Sequence, residues 1–194
     1  MEKITEIRWH ARGGQGAKTA ATLLAEAAIH EGKYSQGFPE YGPERMGAPM
    51  RGYTRIAAVP IRRHCSIEEP DVVVVLDETL LEGENVCDGL SEDGCVIVNS
   101  KRPPQDVCKA AGARNRDVWI VDATGISLEE LKRDIPNTPM IGALLKATGI
   151  MKLETVLADM EKKFSKKFKK NIVDSNLAAV KRAYEEVVHA KCQS

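Results

Sequence analysis

The stretch Ile4-Thr5-Glu6-Ile7-Arg8-Trp9-His10-Ala11-Arg12-Gly13-Gly14-Gln15-Gly16-Ala17-Lys18-Thr19 decides the fold. Ile7, Trp9 and Ala11 alternate, which predicts a short strand with one well-buried face. After Gly16 the spacing changes to Ala17, Ala20, Ala21, Leu23, Leu24, Ala25, Ala27 and Ala28, a helical stripe of small residues able to lie close against a sheet. Between the two, Gly13, Gly14 and Gly16 allow a sharp turn and leave backbone N–H groups uncovered at a positive helix end. The phosphate-loop frame lacks glycine at Arg12 and Ala17, and the dinucleotide frame has Thr19 where its third small residue belongs. The spacing therefore leaves open an anion site or a tight structural turn.

Working outward, a helix is predicted from Gly16 to Glu31, stopped at Gly32, and a short strand over Lys33–Gly37. Phe38 to Met50 holds three prolines and two glycines in thirteen residues, which excludes regular structure. Phe38, Tyr41, Met46 and Met50 make this loop unusually apolar, as in a functional or docking surface; a loop packed on its own domain is the alternative. Arg51–Val59 reads as a strand, with Ile61–Ile67 pairing to it as a hairpin around Pro60. Asp71–Asp77, Gly94–Ser100 and Asp117–Ala123 are near-continuous apolar runs, the signature of central parallel strands buried on both faces. Asp77-Glu78 ends the first run where open α/β sheets place ligands, and capping of the turn Glu78–Glu82 is the favoured role. A helical crossover is expected over Pro103–Gly112.

From Ser127 the character turns helical. Ser127-x-x-Glu130 predicts a capping box for a short helix ending near Asp134. Met140–Thr148, Lys152–Phe164 and a last helix from Asn171, with a stripe running to Val187 and Val188, follow. Six lysines fall within Lys162–Lys170 and read as a solvated helix junction. The whole is one domain, an α/β fold with a mainly parallel open sheet covered by helices on both faces (1–126) and an all-helical C-terminal segment (127–194).

Lys plus Arg equals Asp plus Glu at 28 each, so no bulk field favours nucleic acid or an anionic membrane. No apolar run spans a bilayer and no signal peptide is evident, which predicts a cytoplasmic protein. Five cysteines, with no CxxC pair, argue against a disulfide framework or an iron–sulfur ligand set and predict buried free thiols. His10, His30, His64 and His189 give no metal-ligand spacing.

Taken together, Gly13-Gly14-Gln15-Gly16, Tyr41-Gly42-Pro43-Glu44-Arg45-Met46-Gly47-Ala48-Pro49, Glu69-Pro70-Asp71, Asn99-Ser100, Pro136-Asn137-Thr138 leading to Gly142, and Asn171 run in family order. The chain resembles the gamma subunits of pyruvate:ferredoxin oxidoreductase and related 2-oxoacid:acceptor oxidoreductases. The resemblance implies a multi-subunit enzyme that converts pyruvate and coenzyme A to acetyl-CoA and CO2, or the reverse, passing electrons to ferredoxin. Its thiamine diphosphate, Mg and [4Fe–4S] clusters belong to other chains, and this chain alone binds no cofactor and supplies no catalytic or metal-binding residue. Its partners are then the alpha, beta and delta subunits, with ferredoxin reached through the complex and neither nucleic acid nor membrane involved. Another 2-oxoacid, 2-oxoglutarate or branched-chain, is the alternative substrate.

On this reading the Arg12–Gly16 turn and the Tyr41–Pro49 loop meet at the sheet's carboxyl edge as a docking surface and part of a coenzyme A channel. Arg12, Lys18 and Arg45 supply positive charge for phosphates, and the N–H groups of Gly14 to Gly16 complete the cradle. Gln15 holds a neighbouring chain's backbone, and Gly13, Tyr41 and Glu44 complete the candidate set. A free-standing nucleotide-binding protein is the competing reading; the degraded glycine frames and the absence of a clustered acid, base and nucleophile count against it.

Overall fold

The structure, a computed structural model, describes residues 3–40 and 46–193. The expected Tyr41, Glu44 and Arg45 contributions lie outside the described residues. The first strand, β1 (Ile4–Arg12), feeds through the glycine turn into α1 (Ala17–His30), then β2 (Tyr34–Pro39) and β3 (Pro49–Ala57). Next come β4 (Val72–Val75), the one-turn α2 (Leu80–Gly83), β5 (Cys95–Asn99), α3 (Pro104–Ala111) and β6 (Asp117–Val121). The C-terminal part comprises α4 (Ala123–Leu131), α5 (Asn137–Thr148), α6 (Leu153–Phe164), α7 (Lys170–Glu186) and β7 (Val188–Lys191).

One sheet results, in the order β2-β3-β1-β4-β5-β6-β7. The β1–β4, β4–β5 and β5–β6 pairs are parallel, while β3 runs against both β1 and β2 and β7 runs against β6. The three valine-rich runs form the parallel centre, as their double-sided apolar character requires. Val72 and Val74 of β4 face α1 and the C-terminal helices; Val73 and Val75 face α2 and α3. The small side of α1 is fully buried. At Gly37 on β2, a Cβ would stand 2.7 Å from the Ala21 carbonyl oxygen, so strand and helix backbones meet where no other residue fits.

Several expectations change. β1 is buried on both faces: Arg8 and His10 are 3% and 1% exposed, opposite Ile7, Trp9 and Ala11. Residues 61–67 form no hairpin with β3, which pairs instead with β2 and β1. That segment lies over the polar face of β3 and β1, where its carbonyls accept from guanidinium groups: Arg55 donates to Cys65 O at 2.9 Å and Ser66 O at 3.3 Å, and just beyond it Arg8 donates to Glu68 O at 3.3 Å. Arg55 also pairs with Glu6 at 2.6 Å. Both edges of β3 are already taken by β1 and β2, so none is left for a hairpin with this segment.

The capping-box reading of Ser127 fails. α4 begins four residues earlier, and Asp122 caps it by accepting from Gly125 N at 2.7 Å. Ser127 sits fully buried inside the helix; its hydroxyl donates to Arg133 O at 2.6 Å and accepts from Ile135 N at 2.9 Å, closing the following turn. The C-terminal segment is not all helical either. After α7, Val188–Lys191 pairs with the edge of β6, where the Trp119 and His189 rings lie 4.8 Å apart. Asp117 accepts from Lys191 at 3.0 Å and lies 2.8 Å from His189. Beyond it, Cys192 is bonded to Cys108 of α3, overturning the expectation that all five thiols are free. Of the remaining cysteines Cys65 is exposed, and Cys87 and Cys95 are half-buried.

Candidate functional site

The chain leaves β1 onto one face of the sheet through α1, and leaves β4 onto the other through α2. Since β1 and β4 are neighbours, their carboxyl ends flank a topological switch point, the crevice where open α/β sheets bind ligands. The glycine turn lies there. Gly14 and Gly16 both take positive φ, 100° and 84°. A Cβ on Gly16 would stand 2.5 Å from the Asn137 amide nitrogen, because the start of α5 packs against the turn.

The turn and the described end of the following loop come together as expected. Gly13 N donates to Ala48 O at 2.8 Å and Gly47 N donates to Gly13 O at 3.0 Å. Arg12 braces the pair. Its guanidinium donates to Gly47 O at 3.2 Å and to the Thr79 hydroxyl at 2.8 and 3.1 Å, and lies 3.5 Å from Asp77. Gln15 donates to Asp77 at 2.7 Å and accepts from Arg12 N at 2.8 Å. The expected hold of Gln15 on a neighbouring chain thus finds both ends of its amide engaged within the fold. Gln15 N is likewise engaged, donating to Arg12 O at 3.1 Å, so the three-residue cradle is interrupted at its centre.

Asp77 serves both readings at once. It accepts from the Thr79 N–H and hydroxyl at the start of α2, and it receives Gln15 and Arg12 across the crevice. Partial burial pushes its pKa up, but the hydrogen bonds from Thr79 and Gln15 and the Arg12 charge outweigh burial and hold it below the usual carboxylate value. Asn99 stitches the neighbouring strand ends, donating to Leu76 O at 2.8 Å and accepting from Thr124 N at 3.1 Å. Ser100 donates to Glu78. Lys18 stands exposed in the first turn of α1, which has no acidic residue. Met46, 91% exposed, projects from the clamped turn over Gly14.

Sequence reasoning missed the network behind this rim. Arg8 Nε donates to His10 Nε2 at 3.1 Å, which makes that nitrogen the acceptor and places the ring proton on Nδ1, 3.2 Å from Glu84. Arg51 lies 3.7 Å from the same carboxylate oxygen. Burial, then the Arg8 and Arg51 charges, push the His10 pKa down to about 3. Among the described residues no cluster of His, Cys, Asp and Glu has the makings of a metal site, and no helix is long and apolar enough to cross a membrane.

A doubly wound α/β fold with a braced glycine turn at its switch point is the class these features define. The comparisons narrow it. Residues 6–186 match the family described as Pyruvate ferredoxin/flavodoxin oxidoreductase, and the chain belongs to that family. It is 53% identical over 186 residues, 96% of each chain, to pyruvate synthase subunit PorC of Thermotoga maritima. It is 48% identical to the pyruvate/ketoisovalerate oxidoreductases common subunit gamma of Pyrococcus abyssi, over 94% of this chain and 97% of that one. The crystal structure of pyruvate oxidoreductase subunit PORC from Thermotoga maritima superposes with a TM-score of 0.87 at 49% identity, covering 98% of this chain and 100% of the other. The family expected from the glycine turn and the Gly-Pro-Glu-Arg loop is borne out.

Proposed function

We propose that this chain is the gamma subunit of a pyruvate:ferredoxin oxidoreductase and that the switch-point rim is where it docks on the chains carrying thiamine diphosphate and the iron–sulfur clusters. The overall reaction takes pyruvate and the coenzyme A thiol to acetyl-CoA, CO2 and a proton, with two electrons leaving singly to ferredoxin. The observation that carries the docking is Met46: a large apolar side chain held in solvent on a turn fixed by two backbone hydrogen bonds and the Arg12 fork. A side chain so placed gains by entering a partner's pocket, and because the turn beneath it is already fixed the ordering cost is confined to its own rotamers. Lys18 and the adjoining α1 N-terminus offer the positive charge for a coenzyme A phosphate, with Arg12 as the brace that orients the turn. Tyr41, Glu44 and Arg45 join this proposal on the resemblance alone. The name of the Pyrococcus relative, a gamma subunit common to pyruvate and ketoisovalerate oxidoreductases, supports a chain that leaves the choice of 2-oxoacid to its partners.

Two substitutions in the reconstituted complex test this. Met46→Asp lowers the affinity of the chain for the remaining subunits about tenfold or more, with its own melting temperature unchanged. Lys18→Ala raises the coenzyme A KM about fivefold without loss of assembly, the worth of one exposed charge–phosphate contact. Unchanged affinity for Met46→Asp overturns the docking rim, and an unchanged coenzyme A KM removes Lys18.

A further inference from the structure

The neutral chain spreads its charges unevenly along the sequence. Residues 68–93 hold ten acidic residues and no Lys or Arg, although Asp71, Asp77 and Glu84 pair with Lys3, Arg12 and Arg51 from elsewhere in the fold. On the face of the sheet packed by α1 and the C-terminal helices, the end of α6, the turn after it and the start of α7 hold Lys162, Lys163, Lys166, Lys167, Lys169 and Lys170 with no acid among them. Among the described residues only Lys163 of the six has an ion-pair partner, Glu26. The other five are exposed.

Two features of this knob run against local physics. Lys169 and Lys170 stand at the start of α7, whose first turn contains no acidic residue, so they face the positive end of the helix. Each such cation costs rather than gains at that position. Phe168 is 47% exposed and Ile172 42% exposed beside them. Phe168 is nevertheless not loose. Its ring meets the core-packed Phe164 edge-on at 5.7 Å, and Phe168 N donates to Phe164 O at 2.8 Å. Sites where a sequence breaks several local rules together are where function is expected.

We infer that this knob is an interaction surface, with Phe168 as its apolar anchor and the lysines as its rim, for an acidic surface bearing an apolar pocket on a companion subunit of the oxidoreductase. A second copy of this chain fits less well. Its own acidic stretch, residues 68–93, presents no large exposed apolar side chain to receive Phe168. Basic-to-acidic pairing of like copies would also be head-to-tail, and such contacts propagate into filaments unless a ring closes. A companion chain suffers neither difficulty. The inference rests on this chain being a subunit, but uses a different face from the Met46 rim.

The test is sedimentation of the chain with the remaining subunits at about 50 and about 300 mM salt, where screening differs strongly. In the Lys166→Glu/Lys167→Glu/Lys169→Glu/Lys170→Glu variant, acids replace cations at the α7 N-terminus, so the isolated chain melts no lower than the wild type. Its affinity for the other subunits falls about tenfold or more at low salt, and the salt dependence seen in the wild type flattens. Phe168→Ala weakens association about tenfold at both salts. Unchanged affinity in both variants overturns the inference, as does a loss confined to self-association or to polyanion binding. Should Met46→Asp weaken assembly while the lysine and Phe168 variants do not, the subunit reading stands and this inference alone falls.

Discussion

Removing the Cys108–Cys192 bond should be the most costly simple change to the isolated chain. The bond closes a loop of 84 residues of sequence separation, from α3 on one face to the strand at the sheet edge. Its Cα atoms lie 5.5 Å apart, and the two residues are 8% and 3% exposed. In the chain-entropy treatment a loop of that length lowers the entropy of the unfolded ensemble by about 15 cal/mol/K, or about 4.6 kcal/mol at 25 °C. For a chain of this size about 1 kcal/mol moves the midpoint by about 2–4 °C, so the full effect is a fall of about 9–18 °C. The burial of both residues makes alanine, not serine, the right replacement, since a buried hydroxyl would add its own cost.

The assay compares thermal and guanidinium unfolding of the wild type with and without a dithiol reductant, alongside Cys108→Ala/Cys192→Ala. Loss of the cross-link lowers the midpoint and also raises the denaturant slope, because an untied unfolded chain exposes more surface. Packing loss alone lowers the midpoint and leaves the slope as it was. The reductant should leave the double variant untouched. Two results refute the reasoning: an unreduced chain that yields five reactive thiols in denaturant instead of the three from Cys65, Cys87 and Cys95, or identical midpoints with and without the bond.

Other expectations follow from single positions. His10 has its pKa lowered from 6.5 to about 3, so between those values the unfolded chain binds a proton that the folded chain refuses; stability falls as pH drops through this window, by about 1.4 kcal/mol per unit. His10→Gln should flatten urea midpoints measured from pH 7 to pH 5, and an unaltered slope would assign the acid sensitivity to other groups. At Gly142 a Cβ would press into the Val180 carbonyl oxygen of α7, so Gly142→Ala gains about 1 kcal/mol of helix propensity and loses about 3 kcal/mol to overpacking. The net fall in melting temperature is about 4–8 °C, and a rise would show that α5 and α7 can part without cost.

The parallel centre was legible because β4, β5 and β6 are buried on both faces and therefore carry uninterrupted apolar runs. α1 was legible from its alanine stripe and its glycine stop. What periodicity could not show is burial achieved by pairing instead of by apolarity. Arg8 and His10 alternate with Ile7 and Trp9 as solvent-facing residues would, yet they are covered because backbone carbonyls of residues 68, 86 and 88 receive the guanidinium. Ser127-x-x-Glu130 fits a capping box, but Asp122 at the end of β6 was equally able to cap and stood where the chain had to turn. β7 was hidden because Val187 and Val188 continue the helical stripe by spacing, and only the open edge of β6, a tertiary fact, draws them into a strand. The site was half legible. Gly13–Gly16 and Gly47–Ala48 meet as their glycines implied, whereas the inward use of Arg12 and Gln15 depends on Asp77 and Thr79, more than sixty residues away.

The titratable groups near the switch point share a property that bears on what this chain contributes. A general base working near neutrality needs a pKa near the working pH and a free lone pair. His10 has neither, since its Nε2 accepts from Arg8, its Nδ1 proton faces Glu84 and its pKa is about 3. Asp77 has its oxygens occupied by Thr79 and Gln15, with Arg12 close by, and is held ionised. These groups are tuned towards fixed charge states, which lets them brace the turn without changing protonation during a reaction. Rigidity of that kind suits the docking rim proposed above, because a backbone already fixed lowers the ordering cost of association.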